Sequence, residues 1–148
     1  MKIEHKYLEI EDLEQVVVDI VKYQREGNYK LITSKELNTL MKEETEVLIV
    51  DTMSKDLYDK RHLKGALHME GTFEENEIMS EERQRELRGL LGDDLTRRVV
   101  FYSSRINCRR SHVMAKWAVK MGYRDISKLV GGTLSWKDMG YELVKNEG

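Results

Sequence analysis

No proline occurs in this 148-residue chain, and cysteine occurs once. Without proline, the loops are set by glycine and polar residues alone. One cysteine excludes an internal disulfide framework and a multi-cysteine metal site, and a lone thiol fits a reducing compartment. Long apolar runs are also missing. None approaches the roughly 20 residues that cross a bilayer, and the acidic N-terminal stretch does not read as a signal peptide. Charge of a single sign is lacking as well: charged residues make up 35% of the chain, yet the formal net charge is −2. Both signs are mixed along the sequence, which argues against nucleic acid or an anionic membrane as the main partner. The expectation is a soluble, cytoplasmic protein of about one domain, long enough to bury a hydrophobic core without staples.

The pattern that is present begins with a helix over about residues 9–26, where Leu13, Val16, Val17, Ile20 and Val21 recur at helical spacing and Gly27-Asn28 supplies a stop. This stretch, within residues 1–30, reads as a helical extension. It packs either on the rest of the chain or on a second copy, the latter giving a homodimer. From Leu31 onward strands and helices alternate. Leu31-Ile32 is extended, and Thr33 with Glu36 reads as a capping box opening a helix to about Lys42. Val47-Leu48-Ile49-Val50, ending at Asp51, reads as a buried parallel strand. Ser54 caps a short helix, Ala66 to Met69 reads as a strand, and 70–79 as a loop. A helix from Ser80 to Leu91 stops at Gly92, the strand Val99 to Tyr102 precedes a helix over 110–121, and Ile126 to Val130 is a last strand. Val113, Met114, Trp117, Ala118 and Met121 form the inward face of helix 110–121, with Trp136 and Trp117 as core residues. The alternation predicts an α/β domain with a parallel sheet, in which ligands bind beyond the carboxyl ends of the strands.

Cys108 lies at such a place. Residues Ser103 to Cys108 form a short polar loop between a strand and a helix, and Arg105, Arg109 and Arg110 surround the cysteine. Helix N-termini and neighbouring cations favour a thiolate or a bound anion, and the thiolate is the reactive form of cysteine. The competing reading is a small residue packing the start of the helix. A Cys-x5-Arg phosphate-binding loop is ruled out by counting, because Met114 stands where arginine is required. His68 and His112 have no carboxylate or cysteine at metal-ligand spacing, so no metal site is read, and no cofactor is expected.

Three stretches resemble the rhodanese-like family, covering about residues 31–145 in the family's order. Asp51 followed by His62-Leu63-Lys64-Gly65-Ala66 looks like the first rhodanese signature. Val99 to Tyr102, the six-residue loop and a helix ending at Gly122-Tyr123 look like its active-site strand, loop and helix. Leu129-Val130-Gly131-Gly132-Thr133-Leu134-Ser135-Trp136, with Gly140 four residues on, is similar to its C-terminal signature. The resemblance implies a three-layer α/β/α rhodanese-like domain over residues 31–148 with a central parallel sheet.

In active members a nucleophilic cysteine directly follows the fourth strand, and loop N–H groups hold its persulfide and an anionic donor in a backbone nest. Here Ser103 holds that place, and a hydroxyl forms no persulfide. Asp51-Thr52-Met53 stands where Asp-Val-Arg is usual, and Lys64 where proline is common. Some members carry a second cysteine five residues after the first and a serine three residues later, a spacing that Cys108 and Ser111 match. The resemblance thus implies an anion-binding loop of Ser103, Ser104, Arg105, Ile106, Asn107, Cys108 and Arg109. Asp51, His62, Gly131 and Gly132 would support it. Asp51 and His62 are expected to fix loops by hydrogen bonds, and the glycines to admit close approach of the last loop to the active-site loop. Two functions stay open. One is a sulfurtransferase or sulfur carrier that uses Cys108 with a small anionic sulfur donor. The other is a non-catalytic module binding a partner protein or small anion.

Overall fold

A computed structural model describes residues 9–146. Five parallel strands form one sheet: β1 (Lys30–Ile32), β2 (Leu48–Asp51), β3 (Leu67–His68), β4 (Arg98–Tyr102) and β5 (Asp125–Leu129), in the spatial order β1-β5-β4-β2-β3. The helices are α1 (Ile10–Gly27), α2 (Ser34–Lys42), α3 (Lys55–Lys60), α4 (Glu81–Leu91), α5 (Arg109–Lys120) and α6 (Gly132–Asp138). The predicted α/β class and parallel sheet are what the structure shows. Among the described residues no helix is long and apolar enough to cross a membrane.

The helix boundaries follow from local chemistry. Thr33 and Glu36 close a reciprocal capping box, and the hydroxyls of Ser54 and Ser80 accept the N–H groups of Leu57 and Arg83. Asn28 ends α1 in the left-handed conformation, its N–H bonded to the Gln24 carbonyl.

Successive residues of the central strand β4 serve opposite layers. Val99 and Phe101 join Met114, Ala115 and Ala118 of α5 and Leu87 and Leu91 of α4 in one core. Val100 and Tyr102 join Leu37 of α2, Leu63 and Trp136 of α6 in the other. With neighbours on both edges and a core on both faces, β4 is held firmly, and so is the start of the loop that leaves its carboxyl end.

Two expectations, for residues 66–69 and 70–79, need correction, and two apolar faces are covered in part. Leu13, Val17 and Val21 of α1 are exposed, and only Val16 and Ile20 are half-buried, because α1 meets the domain along α5 with its second half. The segment Ala66 to Met69 narrows to a two-residue strand, since only Leu67 and His68 pair with β2. Residues 70–79 contain a single-turn 3-10 helix, Glu75–Glu77. Trp117 and Met121 face inward as expected and pack against the core while half-buried, the Trp117 indole Nε1 donating to the Glu77 carbonyl at 3.1 Å. Trp136, by contrast, is core.

Candidate functional site

β4 ends at Tyr102 and α5 begins at Arg109, so the six intervening residues lie at the carboxyl edge of the sheet. The first of them is closed off. Ser103 is 1% exposed, and its Oγ lies 3.0 Å from Ser111 Oγ on α5. The Ser103 carbonyl accepts the Thr133 N–H and the Ser104 carbonyl accepts the Leu134 N–H, each at 3.0 Å. This approach requires glycine at 132. Gly132 adopts φ +59°, and a Cβ there would stand 2.2 Å from the Ser103 oxygen. The start of α6 is thereby stitched to the start of the loop.

The other end is open. Cys108 is a half-buried free thiol and the N-cap residue of the 12-residue α5, in extended conformation and with no side-chain cap hydrogen bond. Between the two ends, Arg105 and Ile106 are exposed and Asn107 is half-buried. The backbone N–H groups of residues 104–107 have no acceptor among the described residues. A loop with the carbonyls of Ser103, Ser104, Ile106 and Cys108 taken and these N–H groups free, set before a helix N-terminus, has the electrostatics of an anion nest.

A cation lies beneath it. Lys128, the fourth residue of β5, is 3% exposed, and its Nζ donates to the carbonyls of Ile106 at 3.3 Å and Cys108 at 3.4 Å. Burial pulls the Lys128 ammonium down to about 8, while the Cys108 sulfur pulls the other way. The arginines contribute less than their positions in the sequence suggest. Arg109 forms a two-pronged ion pair with Glu77. The guanidinium beside Glu77 holds that carboxyl below its usual range and is itself raised by the pairing. The Arg110 backbone and Cβ pack against Gly71, where an added Cβ would come within 3.0 Å of the Arg110 Cβ. Arg105 alone of the three stands at the exposed part of the loop.

α1 brings a further wall. Tyr23 stacks on the His112 ring at 4.6 Å and lies 4.7 Å beneath the Arg109 guanidinium and 5.9 Å from Lys128 Nζ. His112, fully buried one turn after Cys108, is held by the Tyr29 hydroxyl at 2.8 Å and by Glu26 at 3.4 Å. Burial lowers the His112 pKa, with Glu26 opposing it. Lys116, 2.8 Å from the same carboxylate, holds Glu26 down to about 2, with His112 adding to the effect.

Asp51 and His62 lie in other hydrogen-bond groups. Asp51 is 1% exposed. Its Oδ1 accepts the Met53 N–H at 2.8 Å, its Oδ2 has no hydrogen-bond partner, and burial raises its pKa. His62 bonds the Tyr58 carbonyl through Nδ1 at 2.7 Å and exchanges two backbone hydrogen bonds with Val144. Both fix the turns around α3, and neither is brought to the Cys108 thiol by these contacts. Gly131 sits where a Cβ would strike Ser135.

Sequence reasoning missed Lys128, Tyr23, Glu77 and the buried role of His112. A lysine between Ser127 and Leu129, inside a strand expected to be buried, was a readable signal for the first. The other three are placed by contacts across 32 to 105 positions of sequence, which no local pattern encodes. Among the described residues no cluster of three or more candidate metal ligands forms.

Comparison with known proteins gives a consistent result. A family model described as Rhodanese-like domain matches residues 33–139. No curated protein matches. Among solved structures, the thiosulfate sulfurtransferase from Pseudomonas aeruginosa superposes with a TM-score of 0.69 at 17% identity. That match covers 89% of this chain but 23% of the other, so this chain spans less than a quarter of that protein. The polysulfide-sulfur transferase homodimer from Wolinella succinogenes superposes with a TM-score of 0.62 at 16% identity, covering 88% of this chain and 87% of that one. A rhodanese-related protein from Thermoplasma volcanium gives 0.60 at 18% identity over 78% of this chain and 98% of that one. At such identities the superpositions speak for the fold. With the family model covering most of its length, this chain belongs to the rhodanese-like domain family.

Proposed function

We propose that this protein carries sulfane sulfur on Cys108, at the far end of the rhodanese loop. One observation carries the reading: a half-buried free thiol caps α5 beside the unpaired N–H groups of residues 104–107, with the buried Lys128 ammonium bonded to the loop from below. That surrounding suits an anionic sulfur donor. The two sulfur-transferring fold relatives are consistent with such use of the scaffold.

The reaction balances with a thiosulfate donor. The Cys108 thiolate attacks the sulfane sulfur, a new S–S bond forms, the donor's S–S bond breaks, and its electron pair leaves with sulfite. A nucleophilic acceptor then takes the outer sulfur and the thiolate is restored. The Lys128 charge and the loop N–H groups offset negative charge on donor and persulfide; Ser103 takes no part, because it is buried and bonded to Ser111.

The test is incubation with thiosulfate followed by intact-mass measurement and cyanolysis, on the protein and on Cys108→Ser. The expected result is a mass gain of one sulfur atom that cyanide removes as thiocyanate, absent in the variant. Equal traces from both proteins would end the reading. The second reading, a non-catalytic module that binds a partner protein or small anion, is favoured by one specific observation. The family's nucleophile position holds a sealed serine whose carbonyl is engaged by α6. Under it, thiosulfate or sulfate binds identically to the protein and to Cys108→Ser with no sulfur retained.

A further inference from the structure

α1 turns its second half to the domain. Tyr23, Glu26 and Gly27 meet α5, and Val16, Ile20 and Gln24 are half-buried. The face a quarter turn away is apolar and uncovered among the described residues. Ile10, Leu13, Val17 and Val21 recur at i, i+3, i+7 and i+11, so they form one stripe, and they are 70%, 40%, 59% and 43% exposed. An apolar stripe four residues long on an 18-residue helix marks an interaction surface rather than scattered exposed side chains.

The charges beside the stripe say what fits it. Glu11, Glu14, Val18, Lys22 and Arg25 share the adjoining flank and are exposed. Their sign changes at Val18, with acids before it and bases after it. Glu26 does not upset the basic half, because it is taken up by Lys116 and His112. A helix that is acidic at one end, basic at the other and apolar between is complementary to itself when reversed. About a two-fold axis at Val17–Val18, Leu13 of one copy lies across from Val21 of the other. Glu11 and Glu14 then face Lys22 and Arg25. A parallel pair would set acid on acid and base on base.

We infer that α1 is an isologous homodimer interface in which the Val17 regions of two copies cross antiparallel. One helix face is smaller than the roughly 800 Å² per partner of a standard interface. The dimer therefore forms and dissociates within an accessible concentration range.

The test is sedimentation velocity of the full chain between about 1 μM and 1 mM, a range set by the affinity expected of a small interface. The expected result is a monomer–dimer equilibrium, abolished by Val17→Glu, which sets two carboxylates against each other at the axis. Glu11→Lys with Glu14→Lys, and separately Lys22→Glu with Arg25→Glu, each weaken self-association by about tenfold or more. Mixing those two doubly substituted proteins yields a heterodimer, and combining all four changes in one chain restores the homodimer. Circular dichroism checks that each variant keeps its helix, and the mixture answers the question even if Val17→Glu does not fold. A monomer throughout the range overturns the inference. So does a dimer indifferent to these changes, or one in which the mixture gains nothing.

Discussion

At one end of the loop Ser103 is 1% exposed, hydrogen-bonded to Ser111 and backed by Gly132; five residues later Cys108 is half-buried, with no side-chain cap bond and a lysine ammonium beneath its carbonyl. The first end is built like a core, with the Ser103 hydroxyl and carbonyl both matched and no room for a methyl group at Gly132. The second is built like a binding site, with N–H groups and a positive charge left over. The difference teaches that here the position of the usual nucleophile and the position of the free thiol have separated. The closed end is built for stability, and the proposed chemistry belongs to the open one.

The largest expected effect lies at the closed end. Gly132→Ala must hold φ +59° and place a Cβ 2.2 Å from the Ser103 oxygen, so we expect a loss of about 3 kcal/mol in urea unfolding. A loss below about 0.5 kcal/mol would show that the two ends are not so different. Ser111→Ala comes next. It leaves the buried Ser103 hydroxyl without its side-chain partner, a cost of about 1–2 kcal/mol, read in the same denaturation experiment.

Lys128→Met probes the floor of the open end. The folded-state value, about 8, lies below the unfolded 10.5. Between those two pH values the unfolded chain binds more protons, so stability rises with pH across that window. Below pH 8 the full cost of burying the charge applies, on the order of 3 kcal/mol, offset by about 1 kcal/mol for each hydrogen bond Lys128 donates. We expect Lys128→Met to be more stable by about 1 kcal/mol at pH 7 and to lose the rise between pH 8 and 10.5. An unchanged pH profile would place the ammonium in water. Smallest in stability is Cys108→Ser, within about 0.5 kcal/mol, checked by thermal unfolding. A larger loss would make Cys108 a packing residue and collapse the contrast.

Much of the fold was legible because it is locally encoded. Thr33 with Glu36, Ser54, Ser80, Gly92 and Asn28 announce helix ends by chemistry that acts within three or four residues. The apolar runs at 48–50 and 99–102 announce strands buried on both faces. The α1 stripe was legible as a helix but not as a surface: periodicity reports that a face is apolar and is silent about what covers it. The arginines beside Cys108 illustrate the same limit. Three positive charges adjacent in sequence became one ion pair with Glu77, one packing contact against Gly71 and one exposed side chain.

By itself the sequence determined the α/β alternation, the strand–loop–helix junction that carries the only cysteine, and the hydroxyl at the first loop position. These depend on periodicity, capping and residue identity, which act over a few residues. Only the tertiary structure decided that Ser103 is sealed by Ser111 and α6, that Lys128 rather than an arginine lies under the loop, and that Tyr23 of α1 lies against Arg109 and His112 at the start of α5. Those outcomes depend on which distant segments pack side by side. The strand order β1-β5-β4-β2-β3 sets that packing, and it brings Lys128 beside a loop 20 residues away.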